Sequence, residues 1–102
     1  MVSVLMTSYN RANFIKEAIE SVLLQDYTDF ELIIVDDSSS DATWDIIKAY
    51  ANIDKRIKAF RNIENLGDYP NRNRVASYAS RKYLKYLDSD DILLPGSLMQ
   101  MV

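Results

Sequence analysis

The chain of 102 residues contains no cysteine and no histidine. The first absence excludes disulfides, thiol catalysis and thiolate zinc sites. The second excludes Ser–His and Cys–His nucleophile systems and imidazole metal sites. Acid–base chemistry is left to carboxylates, lysine and tyrosine, and any metal must be a hard ion held by oxygen. Glycine and proline occur only twice each, which fits regular elements joined by short loops. No apolar run approaches the roughly 20 residues of a membrane span. Residues 2–7 are too short for the apolar core of a signal peptide and lack a basic start, so no leader is expected. There is no large basic run, and the formal net charge is −3. Nucleic-acid binding through phosphate neutralisation is therefore not expected.

What is present suits one globular domain spanning 1–102. Hydrophobic residues make up 48%, too many for disorder, in a length that supports one modest core. VSVLM (2–6) reads as a short strand leading into the polar stretch TSYNR. Ile15, Ala18, Ile19, Val22 and Leu23 recur on one helical face, with Asn13 placed to cap it. After the turn DYTD (26–29), FELIIV (30–35) is a nearly unbroken apolar strand, the kind buried on both faces of a parallel sheet. DDSSSDAT (36–43) is dense in turn formers, and Ser40 or Asp41 can cap a helix carrying Trp44, Ile47 and Tyr50, with Ile46 beside them. IKAF (57–60) is a third strand and residues 61–71 a loop holding Gly67 and Pro70. Residues 72–80 form a helix with Val75, Ala76 and Ala79, and YLKYL (83–87) is the fourth strand. Pro95 is placed to open a last helix at its first position. Met99 and Met101 are expected in apolar packing.

The order β-α-β-α-β-α-β predicts an α/β fold: three α/β/α layers, Rossmann-like, around a mostly parallel four-stranded sheet with right-handed crossovers. Ligands of such sheets bind beyond the carboxyl ends of the strands. TSYN, DDSSSD and DSDD each follow a strand, so they should converge on one edge although they are far apart in sequence.

The chemistry of these clusters can be read residue by residue. DSDD (88–91) crowds three carboxylates into four residues, and their repulsion must be relieved by a cation or by water. Asp88 and Asp90 suit Mn²⁺ or Mg²⁺, which takes one or two carboxylates and fills its other positions with water and phosphate oxygens. A solvated turn with Asp91 capping the next helix is the other reading of these four residues alone. Asp36 and Asp37 can accept from the N–H of a base or from ribose hydroxyls; in the other reading Asp36 ties down neighbouring backbone N–H groups while Ser40 or Asp41 caps the helix. Tyr9 can stack on a planar base, or pack on the surface beside a turn at Asn10. Arg72 and Arg74 can fork onto phosphate, or merely solvate a helix face.

Together these residues resemble the N-terminal, nucleotide-sugar-binding half of a family 2 glycosyltransferase with the GT-A fold. The resemblance is carried by VSVLMTSYNR (2–11), EAIESVLLQDYTDFELIIVDDSSSDAT (17–43), NLGDYPNRNRVASYA (65–79) and KYLKYLDSDDILLP (82–95), in the family's order and over nearly the whole chain. It implies that Thr7 and Tyr9 frame the base. Asp37 would accept from a pyrimidine N–H, with Asp36 organising that turn. Gly67, Arg72 and Asn73 would lie at the donor site. Asp88 and Asp90 match the acids of a DXD-like motif, with Asp90 the direct metal ligand and Asp88 on ribose or metal. The implied activity is hexosyl transfer from a nucleoside diphosphate, UDP above all, to an acceptor hydroxyl, usually with inversion. The implied acceptor is a glycan or lipid-linked saccharide, as in polysaccharide and cell-envelope biosynthesis, with the enzyme cytoplasmic or membrane-associated.

In the family the acceptor-binding half and a carboxylate base lie C-terminal to the DXD region. The chain therefore reads as the truncated donor portion of a longer enzyme. No base is assigned within it: the resemblance places the base beyond Val102, and transfer by these residues alone is not expected. An uncovered sheet edge follows, with homodimer formation through it. The family's glycine before "KY" is replaced by Arg81, so a left-handed turn there is strained or differently built. Two further readings are a receiver-like phosphoacceptor domain and a non-catalytic α/β interaction module. Receivers place their acid pair after the first strand and the phosphorylated Asp after the third. Here the pair follows the second strand and the third lacks a terminal Asp.

Overall fold

The computed structural model describes residues 2–101. Met1 and Val102 lie outside the described residues, as do the side chains of residues 68, 69 and 101. Four strands, β1 (Val2–Ser8), β2 (Phe30–Asp36), β3 (Ile57–Arg61) and β4 (Tyr83–Tyr86), form one sheet in the order β3-β2-β1-β4. Every neighbouring pair is parallel. Helices α1 (Ile15–Leu23), α2 (Thr43–Ile53), α3 (Asp68–Ser77) and α4 (Ser97–Met101) follow the strands in turn. The chain winds from β1 through β2 to β3, then returns past β1 to place β4. The switch point between β1 and β4 is where such sheets open a crevice at their carboxyl edge.

Strand alternation sorts the core into two layers. Val2, Val4 and Met6 of β1 and Leu32 and Ile34 of β2 face α1 and α2, meeting Ile15, Ala18, Ile19, Val22 and Ile47. Leu5, Ile33 and Val35 face the other way and meet Val75 of α3. The end of α3 is pinned by Tyr78, whose ring stacks on Phe60 at 4.0 Å. The segment after β4 returns to the α1 face. There Ser21 Oγ accepts from the Leu93 N–H, Gln25 Nε2 donates to the Leu94 carbonyl, and Gln25 Oε1 accepts from the Leu98 N–H.

Several local expectations are corrected. Asn13 does not cap α1: the N–H groups of Phe14 and Ile15 turn back onto the Arg11 carbonyl, and no side chain caps the helix. At α2, Ala42 holds the cap position, while Asp41 one residue earlier accepts from the Thr43 N–H at 2.9 Å. Helix α3 starts at Asp68 rather than at residue 72, because Pro70 falls in the first turn, where its missing N–H would have had no partner. Pro95 does not open α4. It is the second residue of a turn closed by the Ser97 N–H on the Leu94 carbonyl, with Gly96 supplying the positive φ of 80° that a type II turn needs. Met99 is half exposed, and Leu98 is the buried residue of that helix; the Met101 side chain lies outside the described residues. Among the described residues Arg81 has no positive φ. Its N–H instead donates to Ser3 Oγ at 3.0 Å, so this turn dispenses with the glycine.

At the end of the sheet opposite the crevice, Glu31 is a buried carboxylate within β2. Burial works to raise its pKa, but Lys58, Ser3 and the Ser80 N–H and hydroxyl all donate to it and hold it down at about 2. Glu31 thereby joins β1, β2, β3 and the α3–β4 connection. Because its folded pKa lies below the unfolded value of 4.5, its contribution is complete above pH 4.5 and is lost as pH falls toward 2. The free energy involved is on the order of 3 kcal/mol. Glu31→Gln should remove a comparable amount at neutral pH and flatten the acid limb of stability, read by urea unfolding at a series of pH values.

Candidate functional site

All four strands point their carboxyl ends at the same edge, and a cleft of about 530 Å³ opens there. Its walls come from every strand-end cluster: Thr7 and Ser8 at the end of β1 with Tyr9 and Arg11 beyond it, Asp37 after β2, Asn65 and Gly67 after β3, and Asp88, Ser89 and Asp90 after β4. Asn71 and Arg72 join them from α3. The volume lies within the range of small-molecule sites.

The floor rests on two buried carboxylates. Asp36, with no exposed surface, pairs in register with Ser8 and accepts from its hydroxyl at 2.9 Å. It also accepts from the Ser39 N–H and hydroxyl, and Arg61 Nε stands 3.7 Å away. Asp37 accepts from Asn62 Nδ2 at 2.9 Å, from the Leu66 N–H at 2.7 Å and from the Gly67 N–H at 2.9 Å. A carboxylate offers about four acceptor positions, so Asp37 retains one while lining the cleft. Asn62 Nδ2 also donates to Asn71 Oδ1, and Asn71 Nδ2 to the Val35 carbonyl. Asn62 Oδ1 is the buried side-chain atom left without a partner among the described residues. Gly67 sits at φ 89° with open space where a Cβ would be, so glycine is required for the backbone rather than for room.

The β1–α1 loop is laced to the β2–α2 loop. Asn10 adopts φ 54°, which its short amide side chain tolerates, and its Oδ1 accepts from the Ser40 N–H at 2.8 Å. The Asn10 N–H donates to Ser39 Oγ, the Arg11 N–H to Thr43 Oγ1 and the Ala12 N–H to Asp41. This lacing holds Tyr9, 45% exposed, at the rim of the cleft.

The opposite rim is acidic. One carboxylate oxygen each from Asp88, Asp90 and Asp91 lies within 4.8 Å of the others. Three exposed hard oxygen donors and no nitrogen or sulfur suit Mn²⁺ or Mg²⁺ rather than a softer ion. Ser89 between them is buried and anchors the turn, which closes through the Asp91 N–H on the Asp88 carbonyl. Two arginines already meet these acids: Arg72 Nη2 is 2.8 Å from Asp88 and Arg11 Nε is 3.9 Å from Asp90.

Of the residues expected at the site, Thr7, Tyr9, Asp37, Gly67, Arg72, Asp88 and Asp90 line the cleft, and Asp36 lies buried beneath it. Asn73 is exposed on α3 and does not line the cleft; the neighbouring Asn71 does. Arg74 is exposed and does not line the cleft either. The base expected beyond Val102 falls outside the described residues, which end at Met101. Arg11, Asn65 and Asn71 were not singled out from the sequence. The first and last stand beside matched motifs, in TSYNR and PNRN, and that adjacency was the available signal.

The glycosyl transferase family 2 model matches residues 3–102. The chain belongs to this family, and its α/β layers are those of GT-A glycosyltransferases. Teichuronic acid biosynthesis is the role for which the relative TuaG of Bacillus subtilis is named; it is 43% identical over 91 residues, covering 89% of this chain and 36% of TuaG. The UDP-Glc:alpha-D-GlcNAc-diphosphoundecaprenol beta-1,3-glucosyltransferase WfgD of Escherichia coli is 39% identical over 102 residues, covering all of this chain and 40% of WfgD. The crystal structure of S. aureus TarS 1-349 in complex with UDP-GlcNAc superposes with a TM-score of 0.90 at 30% identity, over 98% of this chain and 29% of that one. The chain thus spans about two-fifths or less of the length of these relatives. The receiver alternative falls away: the family match excludes it, and β3 ends in Arg61, followed by Asn62, with no acid to phosphorylate.

Because Asp37 holds the amides of Leu66 and Gly67, Asp37→Asn should speed hydrogen exchange at both by roughly tenfold or more, the scale of losing hydrogen bonds to a charged acceptor. Amide exchange followed by NMR reads this directly, with the Glu31 network as an unaffected reference.

Proposed function

We propose that this chain is the donor-binding portion of a glycosyltransferase that takes a UDP-sugar. The observation that carries the reading is one cleft with Thr7, Tyr9 and Asp37 on one side and clustered carboxylates on the other. Asp37 keeps one acceptor position for a pyrimidine N–H, and Tyr9 and Thr7 frame the ring. Gly67 and Asn71 line the adjoining wall. Asp88, Asp90 and Asp91 would hold Mn²⁺ or Mg²⁺, which as a Lewis acid takes up charge on the diphosphate. In the transfer, the bond from the anomeric carbon to the diphosphate breaks and a bond to the acceptor oxygen forms. The acceptor proton passes to a carboxylate base that this reading puts beyond Val102, and no cleft residue is assigned that role.

The named functions of TuaG and WfgD support an envelope glycan or lipid-linked saccharide as acceptor. No helix among the described residues is long and apolar enough to cross a membrane.

Calorimetry with UDP and Mn²⁺ tests the donor reading. The folded chain should bind both together, and Asp90→Ala should weaken this by roughly tenfold or more, the scale of losing a charged ligand. Absence of binding at millimolar nucleotide would sink it. The open β4 edge supports pairing with a second copy. Sedimentation should show dimer growing with concentration, and a monomer throughout would reject that pairing.

A further inference from the structure

The acidic rim already carries cations, and they belong to the protein. Arg72, from α3, donates to Asp88 at 2.8 Å. Arg11, from the β1–α1 loop, places Nε 3.9 Å from Asp90 while its Nη1 donates to the carbonyls of Tyr9 and Asn10. Both arginines line the same cleft as the acids they meet. Three carboxylates whose oxygens lie within 4.8 Å of one another repel, and positive charge nearby relieves that repulsion beyond what water does. The two guanidinium groups supply it from separate elements of the chain.

We propose that Arg11 and Arg72 are exchangeable counter-cations that couple metal binding to nucleotide binding. This rests on the donor reading above. A guanidinium cannot lose its proton in a protein. A divalent ion reaching Asp88 and Asp90 must therefore displace the arginines or bear their repulsion. An incoming diphosphate gives each displaced guanidinium a second anion, one whose oxygens it can fork onto. The metal alone binds against the arginines, and the metal with a nucleotide binds with them. Linkage makes the effect reciprocal: the factor by which nucleotide tightens metal equals the factor by which metal tightens nucleotide. All four charged side chains are about half exposed, so the exchange needs rotamer changes and no refolding.

The test has an unusual sign. Removing a residue from a binding cleft ordinarily weakens binding, but here Arg72→Met should tighten Mn²⁺ in the absence of nucleotide. The expected gain is roughly tenfold, the scale of one lost ion pair plus one removed guanidinium–metal repulsion. Arg11→Met should give a smaller gain, in keeping with its longer contact. The tightening of Mn²⁺ by UDP should shrink by a similar factor in Arg72→Met. Arg72→Lys, which keeps the charge but loses the fork, should leave the nucleotide-free Mn²⁺ affinity near that of the parent chain while lessening the tightening by UDP. Free Mn²⁺ is counted by its aqueous electron paramagnetic resonance signal, with and without UDP, after circular dichroism confirms the fold. Unchanged or weaker nucleotide-free Mn²⁺ affinity in Arg72→Met overturns the exchange. Failure of the parent chain to bind UDP with Mn²⁺ overturns the donor reading instead, and the nucleotide-free arm still decides the arginines.

Discussion

Two adjacent buried carboxylates at the end of β2 set the shape of the crevice. Taking ionised groups out of water costs several kcal/mol each unless donors replace the lost hydration. Asp36 and Asp37 meet that demand by drawing in donors from elsewhere in the chain. Asp36 gathers Ser8, Ser39 and Arg61, so it joins the ends of β1 and β3 to the turn after β2. Asp37 gathers Asn62, Leu66 and Gly67, so it folds the segment after β3 against the same edge. The walls are thereby fixed before any ligand arrives, which lowers the ordering cost of binding. Ser38, next to this pair, takes φ 60°. A non-glycine residue accepts that conformation where surrounding hydrogen bonds leave no alternative.

The apolar periodicity of the sequence carried most of the architecture. FELIIV is buried along its whole length, and the i, i+3, i+4 face of α1 is the face that meets the sheet. The convergence of TSYN, DDSSSD and DSDD also followed from strand order alone, since a parallel sheet sends every carboxyl end the same way. What stayed hidden depends on partners remote in sequence. Thr7 and Ser8 look like loop residues, yet they pair with Val35 and Asp36 as strand, because a polar strand end is satisfied by the register of its neighbour. Helix α3 looked like loop through residue 71, because Gly67, Pro70 and several polar residues mask its start. The helix has little apolar face beyond Val75 and Ala76, so periodicity could not reveal it. Asn71 is buried for a reason visible only in three dimensions: Asn62 and the Val35 carbonyl stand on either side of its amide.

Arg81 shows how a motif position can change without loss of the turn. In the family pattern a glycine relieves strain there. In this chain the Arg81 N–H finds Ser3 Oγ, which in turn donates to Glu31. The connection into β4 is thus held by the buried Glu31 network rather than by a left-handed residue. That network also receives Ser80, so the strand bearing the acidic rim is positioned from its far end by a carboxylate that never touches the cleft.

The strand carrying the rim is the most exposed of the four in one respect. β4 lies at the sheet edge, and its register with Ser3 and Leu5 puts Leu84 and Tyr86 on the α3 face, where both remain about half exposed. Beyond it Tyr86, Ile92 and Leu94 line a second cleft of about 360 Å³ that shares Arg72 and Asp88 with the first. The acidic rim therefore divides a polar cleft from a more apolar one. Under the proposed reading, the nucleotide lies on the polar side and the bond to be broken lies over the rim. Since Arg72 and Asp88 belong to both clefts, movement of Arg72 from carboxylate to phosphate would alter the wall of the second cleft as well.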